Sequence, residues 1–434
     1  MGPLLLIHPP IREWAKPCNL PLGVLYTAAA VMERHPDLSV TVADMNAGWS
    51  EDYLLDFMRS TLVRTVGISG IASQYRYIKS LVSLVRSVHP EYPIVVGGPI
   101  AVLGEKLVDW LGVHVFRGES EITFPALVAA DAFDAPPKVW DGEVVKDLDA
   151  LPHPTWHLAN TWEYAQNPVG AINKAKWAGG EGAEGTPMSL NLLAARGCPF
   201  ECTFCSHDFL GTRYRQRSVG SVMNEIAELR HLYGVAYVHL SDDNTLAKES
   251  WVNLFCDALR TDDRLHAFTW GCAGRTTSVN VDLLLNMRTA GCRIVGMGVE
   301  SGSQKMLDAY NKRATVEDNV NAINDCQVVF GKANYSLMVG GIGEDDTTID
   351  ETIAMCHATH SRPEVVFFTT PMPGSAIYEY ALKTGLIENE QGYLCGLGEN
   401  SDQIACNISG QSDKWLWNAK KKIVAATAAY GGAI

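Results

Sequence analysis

The sequence has no apolar run reaching the roughly 18 residues that a membrane-spanning helix needs. Its opening stretch also lacks the basic segment, apolar run and small-residue cleavage site of a secretory leader. A membrane partner is therefore not expected, and the cytoplasm is the expected compartment. Positive charge is scarce too: 35 Lys and Arg stand against 49 Asp and Glu, for a formal net charge of -14. Nucleic-acid backbones are held by clustered Lys and Arg, so no nucleic-acid partner is expected. Charged residues of both signs make up only 19%, against 47% hydrophobic, which excludes a disordered or fibrous chain and allows a substantial core. A disulfide framework is absent as well, because eleven cysteines are an odd number scattered through a long chain. Cys18, Cys256, Cys272, Cys292, Cys326 and Cys356 stand alone in apolar or helical contexts and are expected to pack as inert thiols.

A chain of 434 residues exceeds what one core usually supports, so two domains are expected. Over residues 1–130, Leu4-Ile7, Val40-Ala43, Val66-Ser69, Ile94-Gly97 and Val113-Phe116 read as strands separated by helical stretches. Between two of them Ile78, Leu81, Val82 and Val85 form the apolar stripe of a helix lying on a sheet. This alternation predicts a doubly wound parallel sheet, which binds ligands beyond the carboxyl ends of its strands. Residues 131–187 read as a linker carrying Pro136, Pro137, Pro152 and Pro154, then Gly179, Gly180, Gly182 and Gly185. Over residues 188–380 six more strands are expected, near Ser189-Ala195, Val235-Leu240, Phe268-Cys272, Ile294-Met297, Tyr335-Val339 and Val365-Phe368. Val219, Val222, Ile226 and Leu229 mark one intervening helix, and Thr315-x-x-Asp318 resembles the capping box of another. Six such units predict a partial (β/α)6 barrel with its chemistry at the carboxyl mouth of the strands. Residues 381–434 form a short C-terminal segment whose Trp415, Trp417 and Lys420–Lys422 fit a terminal helix covering an edge.

Three cysteines crowd together. Arg196-Gly-Cys-Pro-Phe-Glu-Cys-Thr-Phe-Cys-Ser206 sets Cys198, Cys202 and Cys205 at spacings of four and three just after a strand. Thiolates are soft ligands, and three of them leave one iron of a four-iron cubane open to a reactant. Structural zinc is the alternative, but it needs a fourth ligand, and His207 is awkwardly close to Cys205 to share one tetrahedral site.

This C-x3-C-x2-C loop, with an aromatic residue before its third cysteine, resembles the signature of the radical S-adenosylmethionine superfamily. The resemblance implies a 4Fe-4S cluster on Cys198, Cys202 and Cys205 whose open iron chelates the amino and carboxylate groups of S-adenosylmethionine. It also implies that reduction of the cluster yields a 5'-deoxyadenosyl radical, and that Phe204 lies against the adenine. Polar groups at later strand ends take their expected parts from the same resemblance. Asp242, in Ser241-Asp-Asp-Asn244, would hold the methionine amino group, Arg275 its carboxylate, and Glu300 with Ser301 the ribose hydroxyls. Taken alone, each is as well explained by a helix cap or solvated turn. Pro371-x-Pro373-Gly374-Ser375 resembles a late family turn and is expected to be structural.

The first domain resembles the cobalamin-binding domains fused ahead of many radical enzymes, which implies a flavodoxin-like sheet. The matching pieces are Pro21-Leu-Gly-Val-Leu-Tyr26, Val42-Ala-Asp-Met-Asn46, Gly67-Ile-Ser69, Val95-Val-Gly-Gly-Pro99 and Arg117-Gly-Glu119, with Leu148-Asp149-x-Leu151-Pro152 in the connector. By this resemblance Gly97, Gly98, Gly118 and Glu119 cradle the nucleotide tail of cobalamin, while Ser69, Ala72, Ser73 and Gln74 lie at the corrin's lower face. A pair of glycines after a strand would by itself equally suit another nucleotide-binding sheet. The D-x-H-x-x-G loop that supplies a cobalt-ligating histidine in many cobalamin enzymes is absent, and His8, His35, His89 and His114 do not replace it. No histidine ligand to cobalt is therefore expected.

The implied activity is methylation of an unactivated carbon, or less commonly a phosphinate phosphorus, through methylcobalamin and the adenosyl radical. The expected substrate is a small molecule such as a specialised-metabolite precursor, as in antibiotic biosynthesis, and the expected electron donor is a flavodoxin or ferredoxin. Rearrangement or oxidative cyclisation with the same cofactors is the second possibility, and a cobalamin sensor with a structural cluster the third. No general acid or base is identifiable, although Cys395 and Cys406 are candidates to approach substrate.

Overall fold

The computed structural model describes residues 3–11, 18–167, 188–206, 213–398 and 403–430. The linker glycines 179, 180, 182 and 185 and His207 lie outside these residues. The chain divides into two compact units. The first takes the chain through Asn167 together with a segment beginning at Asn389, and the second holds nearly all the rest.

In the first unit β1 (Leu4–His8), β2 (Val40–Asp44), β3 (Thr65–Ser69), β4 (Ile94–Gly97), β5 (His114–Arg117) and β6 (Val139–Asp141) form one sheet. Its order is β2-β1-β3-β4-β5-β6 and all pairings are parallel. This is the flavodoxin-like doubly wound order, whose reversal of direction, and hence its crevice, falls between β1 and β3. Leu4, Leu5, Ile7, Val66, Ile68, Val95 and Val96 are all buried, as expected for strands covered on both faces. Ile78, Leu81, Val82 and Val85 of the helix Tyr75–Val88 are buried against that sheet.

The sixth strand lies in the stretch expected to be linker. Only three residues long and preceded by two prolines, it carries no readable alternation. It is secured by its partner: Val139 pairs with Val115, Trp140 Nε1 donates to His114 Nδ1 at 3.1 Å, and Arg117 grips Asp141 at 2.8 and 3.0 Å. The chain then turns at Gly142, where an added Cβ would sit 2.0 Å from the Glu119 carbonyl oxygen.

In the second unit β7 (Ser189–Leu192) is followed by a two-residue ladder, β8 (Ala195–Arg196) with β9 (Arg215–Gln216). Then come β10 (Tyr237–Leu240), β11 (Thr269–Arg275), β12 (Cys292–Glu300), β13 (Asn334–Val339) and β14 (Val365–Phe368). The large sheet runs β14-β13-β12-β11-β10-β7, all parallel and in sequential order. Successive strands joined by crossover helices curl in one direction, giving the six-stranded partial barrel expected. The predicted capping box forms: Asp318 N donates to Thr315 Oγ1 at 3.1 Å and Thr315 N to Asp318 Oδ2 at 2.8 Å, opening the helix Val316–Phe330.

The terminal helix Asp413–Ala426 packs on β13 and the edge strand β14. Leu416 lies against Gly340, Trp417 meets Phe368 edge-on with centroids 4.9 Å apart, and Trp415 Nε1 donates to Asp346 at 2.9 Å. The helix Glu390–Gly396 belongs instead to the first unit, where Tyr75 donates to Gln391 at 3.0 Å and Lys106 meets Glu390 at 2.6 Å.

Two glycine substitutions separate backbone crowding from helix propensity. Gly142→Ala, forced into the Glu119 carbonyl, should destabilise the protein by about 2 kcal/mol or more. Gly220→Ala, early in the helix Val219–Tyr233 with nothing within 4 Å, should stabilise it by about 0.5 to 1 kcal/mol. Urea denaturation of both variants checks the pair; equal effects would mean that the turn at Gly142 can relax.

Candidate functional site

The β8-β9 ladder closes the base of the loop that carries the three cysteines. Asp242, just beyond β10, ties this loop down: its Oδ1 accepts the backbone N–H groups of Ala194 and Ala195 at 2.7 and 2.8 Å. Burial pushes its carboxyl up to about 7, against the pull of those two donors. From the other side the turn that follows the short helix Gln304–Ala309 braces the loop. Thr203 N donates to the Tyr310 carbonyl at 2.9 Å, Asn311 Nδ2 to the Glu201 carbonyl at 2.8 Å, and Arg313 pairs with Glu201 at 3.2 Å.

The sulfurs are near enough to feel one another. Burial raises the Cys198 thiol, Asp243 and to a smaller extent Cys202 adding to it against the Phe200 backbone and Arg275. Loss of solvent, then Cys202, Asp243 and Cys198, push the Cys205 thiol up to about 12. Among the described residues no three His, Cys, Asp or Glu side chains already stand gathered around one metal point. The fit to an iron-sulfur cluster therefore rests on the three soft donors and on the buried polar atoms around them.

Those atoms are numerous. Among the described residues both side-chain atoms of Asn244, Nε and Nη2 of Arg275, Ser303 Oγ and Tyr214 Oη are buried without a hydrogen-bond partner. Asn244, Arg275 and Ser303 stand in the strand-end segments expected to hold a polar ligand and Tyr214 just before β9, and such groups are ones that water or a bound ligand would satisfy. Arg275, the last residue of β11, directs Nη1 at Cys202 Sγ, 3.2 Å away, and its guanidinium lies 3.8 Å over the Phe200 ring.

Glu300 closes β12 at a register shift with φ +64, a left-handed conformation costly for a non-glycine residue. Its carboxylate takes Lys312 Nζ at 2.7 Å, both side chains being buried, and Lys312 Nζ stands 5.8 Å from the centroid of Phe204. Phe204 meets Tyr310 edge-on at 5.4 Å. Ser301 is already engaged: its Oγ meets Thr352 Oγ1 at 3.1 Å and accepts Ser303 N at 3.1 Å. Phe204, Asp242, Arg275, Glu300 and Ser301 thus all belong to the loop of the three cysteines or to the strand ends of this sheet. Sequence reasoning missed Lys312, Asn244 and Ser303. The last two stand inside the Ser241-Asp-Asp-Asn244 and Glu300-Ser-Gly-Ser303 segments already singled out, whereas Lys312 had only the polar run Asn311-Lys312-Arg313 to announce it.

In the first unit Ser69, the turn Ala72–Gln74 and Gly97-Gly98 border the β1/β3 switch point. Gly98 has φ +78, and a Cβ there would sit 2.8 Å from Ser69 Oγ and 2.9 Å from the Gly70 carbonyl oxygen. At Gly97 the nearest atom would be the Phe116 carbonyl oxygen at 3.7 Å, so backbone there is open to close approach. Ala72 and Ser73 are half-buried. The Gln74 amide is used within the loop, donating to the Pro9 and Pro10 carbonyls at 2.8 and 3.2 Å and accepting Ile71 N at 2.9 Å. Gly118 adopts φ +82, and the Glu119 carboxylate accepts Val145 N at 2.7 Å. At the ends of β1 and β2, Asp44 receives Tyr164 Oη at 2.6 Å and meets His8 Nδ1 at 3.1 Å. Burial alone would raise the Asp44 carboxyl, but His8, Tyr164 and Asn46 outweigh it and hold it below the usual range. Cys395 lines a hollow of about 360 Å³ with Lys79, Asn389, Gln391 and Gly392, and Cys406 lies 3.9 Å from the Leu386 carbonyl oxygen.

A doubly wound sheet followed by a partial barrel with a three-cysteine loop defines a class of two-domain radical enzymes. The family model of the B12 binding domain matches residues 12–128 and that of the radical SAM superfamily residues 192–356. The chain belongs to the cobalamin-binding radical S-adenosylmethionine enzymes, whose cofactors are a 4Fe-4S cluster, S-adenosylmethionine and cobalamin. It is 24% identical over 420 residues to an uncharacterised methyltransferase of Pyrococcus horikoshii, covering 88% of this chain and 84% of that protein. An anaerobic magnesium-protoporphyrin IX monomethyl ester cyclase of Cereibacter sphaeroides is 28% identical over 242 residues, which is 54% of this chain but only 36% of the cyclase. In fold the chain is similar to the radical S-adenosylmethionine methyltransferase TsrM of Kitasatospora setae, solved with cobalamin and a 4Fe-4S cluster. The TM-score is 0.70 at 16% identity, over 100% of this chain and 89% of TsrM. No helix among the described residues is long and apolar enough to cross a membrane.

Two substitutions probe the buried charges. Lys312→Met should cost about 3 to 5 kcal/mol by leaving Glu300 buried without its counter-charge, and adding Glu300→Gln should recover most of that loss. Guanidinium denaturation of the single and double variants measures it; a single variant as stable as wild type would mean that the ion pair does not hold the turn. Glu344, whose carboxylate accepts Gly340 N in the loop after β13, is pushed by burial from 4.5 up to about 7. Because the folded value is the higher one, its stabilising contribution is complete below pH 4.5 and is lost as pH rises through about 7. Glu344→Gln should therefore be the more stable form at about pH 8, by on the order of 1 to 2 kcal/mol, with the difference vanishing under acid conditions. Thermal melts across that range check the sign.

Proposed function

We propose that this chain methylates an unactivated carbon of a small-molecule substrate, a specialised-metabolite precursor being the class favoured. The observation that carries this reading is the loop of three soft thiols, reached by Arg275 at Cys202, with Arg275, Asn244 and Ser303 groups buried without partners among the described residues. When bound, the cluster with S-adenosylmethionine supplies hydrogen abstraction, and cobalamin supplies the methyl group. The chain's part is to hold and orient. Cys198, Cys202 and Cys205 would hold the cluster, and Arg275 would offer two N–H groups to the methionine carboxylate. Asn244 offers both a donor and an acceptor to the amino acid end of the ligand, and Asp242 positions the loop through Ala194 and Ala195. Phe204, backed by Tyr310, presents a flat apolar face to the adenine. Gly97, with room beyond its backbone, and Gly98, with its left-handed φ, admit the nucleotide tail of cobalamin at the first sheet's switch point.

Methyl transfer is favoured over other outcomes because the alignment with the Pyrococcus methyltransferase runs through 84% of that protein. Oxidative cyclisation is the second reading, favoured by the 28% identity to the cyclase, which extends over only 36% of its length. The electron donor expected in either case is a low-potential carrier such as a flavodoxin or ferredoxin.

Protein purified without oxygen and supplied with iron, sulfide and hydroxocobalamin should hold about four irons and about one cobalt per chain. With a strong reductant it should release 5'-deoxyadenosine from S-adenosylmethionine. Replacement of Cys198, Cys202 and Cys205 by Ala should abolish iron and leave cobalt. Iron without cobalt would end the methyl-transfer reading, and two S-adenosylmethionine molecules consumed per methylated product would separate it from cyclisation.

A further inference from the structure

The Arg275 guanidinium is a buried cation, 7% exposed, with no carboxylate partner among the described residues. Among the described residues Nη1 reaches only the sulfur of Cys202, at 3.2 Å, and Nε and Nη2 have no hydrogen-bond partner. A buried charge so poorly compensated is costly unless something anionic completes it. Phe200, two residues before Cys202, holds the guanidinium flat from the other side, with Cζ 3.8 Å from its ring centroid. Position and orientation are therefore both set within the cysteine loop itself.

We propose that Arg275 is a positioning residue that raises the reduction potential of the cluster by hydrogen-bonding the Cys202 thiolate, while its other two N–H groups take a carboxylate of the ligand on the open iron. This rests on the cluster assignment made above and goes beyond it, because the arginine then acts on the metal centre as well as on the ligand. The cause is electrostatic. A thiolate-bound cluster gains one negative charge when an external reductant delivers one electron, and no bond forms or breaks. A cation donating N–H to a ligand sulfur stabilises the reduced form more than the oxidised one, and such hydrogen bonds are a recognised control on cluster potential. Phe200 keeps the guanidinium from turning away when the ligand is absent, so part of the effect belongs to the ligand-free protein.

The test is a redox titration, followed by electron paramagnetic resonance, of the protein loaded with iron and sulfide, with and without S-adenosylmethionine. Arg275→Gln should keep its iron and sulfide but shift the reduction equilibrium about tenfold toward the oxidised cluster, equivalent to about 59 mV for a one-electron couple. The spectral change that S-adenosylmethionine induces in the wild-type cluster should weaken in the same variant. Arg275→Lys, which keeps the charge but loses the fork, should fall between, and Phe200→Leu should shift in the same direction by less. A fully loaded Arg275→Gln protein with the wild-type potential overturns the proposal. If that variant fails to load, a loaded Arg275→Lys or Phe200→Leu protein with unchanged potential and an unchanged response to S-adenosylmethionine overturns it equally. Wild-type protein that takes up no iron would instead defeat the cluster assignment itself, and protein that takes iron but no cobalt would defeat methyl transfer while leaving this proposal standing.

Discussion

Parallel strands end together. When every strand of a sheet points the same way and every return is a helix, all the strand-to-helix loops collect at one rim, where backbone polar groups face outward and side chains are free of the packing that fixes the core. Both units of this chain obey that constraint separately. In the first, it brings Ser69, Gly97 and Gly98 together from two neighbouring strands. In the second, it brings Asp242, Arg275 and Glu300 to the loop of the three cysteines although they arise from three different strands. Nothing in the local sequence around any one of them requires the others.

What distinguishes the second rim is the quantity of polar burial left unsatisfied. Folding normally pairs buried donors and acceptors because each unpaired group forfeits its hydration. Here Asn244 is fully buried with neither side-chain atom paired among the described residues, and Tyr214, Ser303 and Arg275 each carry buried atoms in the same condition. The fold tolerates this because its core lies elsewhere, in the apolar strands and in helices such as Val219–Tyr233, whose Val222, Ile226 and Leu229 are sealed. Stability is supplied by one part of the structure and spent in another, as expected where a ligand completes the site.

The sequence made the strands legible because buried parallel strands are short apolar runs bounded by turn residues, and eleven of the large-sheet strands show such a run. It hid β6, whose three residues are held by pairing with β5 and by the contacts of Trp140 and Asp141. The cysteines were legible because their ligand spacing is local. Arg275 could be named from its place after a strand, but its contact with Cys202 spans 73 residues and is fixed only by the barrel. Lys312 was not legible at all: a lysine between Asn311 and Arg313 reads as a solvated turn, and only the left-handed φ values at Glu300, Asn311 and Arg313 fold it inward.

The two buried cations of this rim show how an architectural charge differs from a functional one. Lys312 has its counter-charge in Glu300 at 2.7 Å and needs nothing further; its effect is to hold a strained strand end beside Phe204. Arg275, buried to a similar degree, has only a sulfur and an aromatic face. A thiol is a weak acceptor and a metal-bound thiolate a strong one, so a metal that displaced the Cys202 proton to solvent would also give the arginine a better acceptor. On the proposal made above, the N–H groups left without a partner among the described residues are the ones a ligand carboxylate would take, so one arginine would serve both metal and ligand.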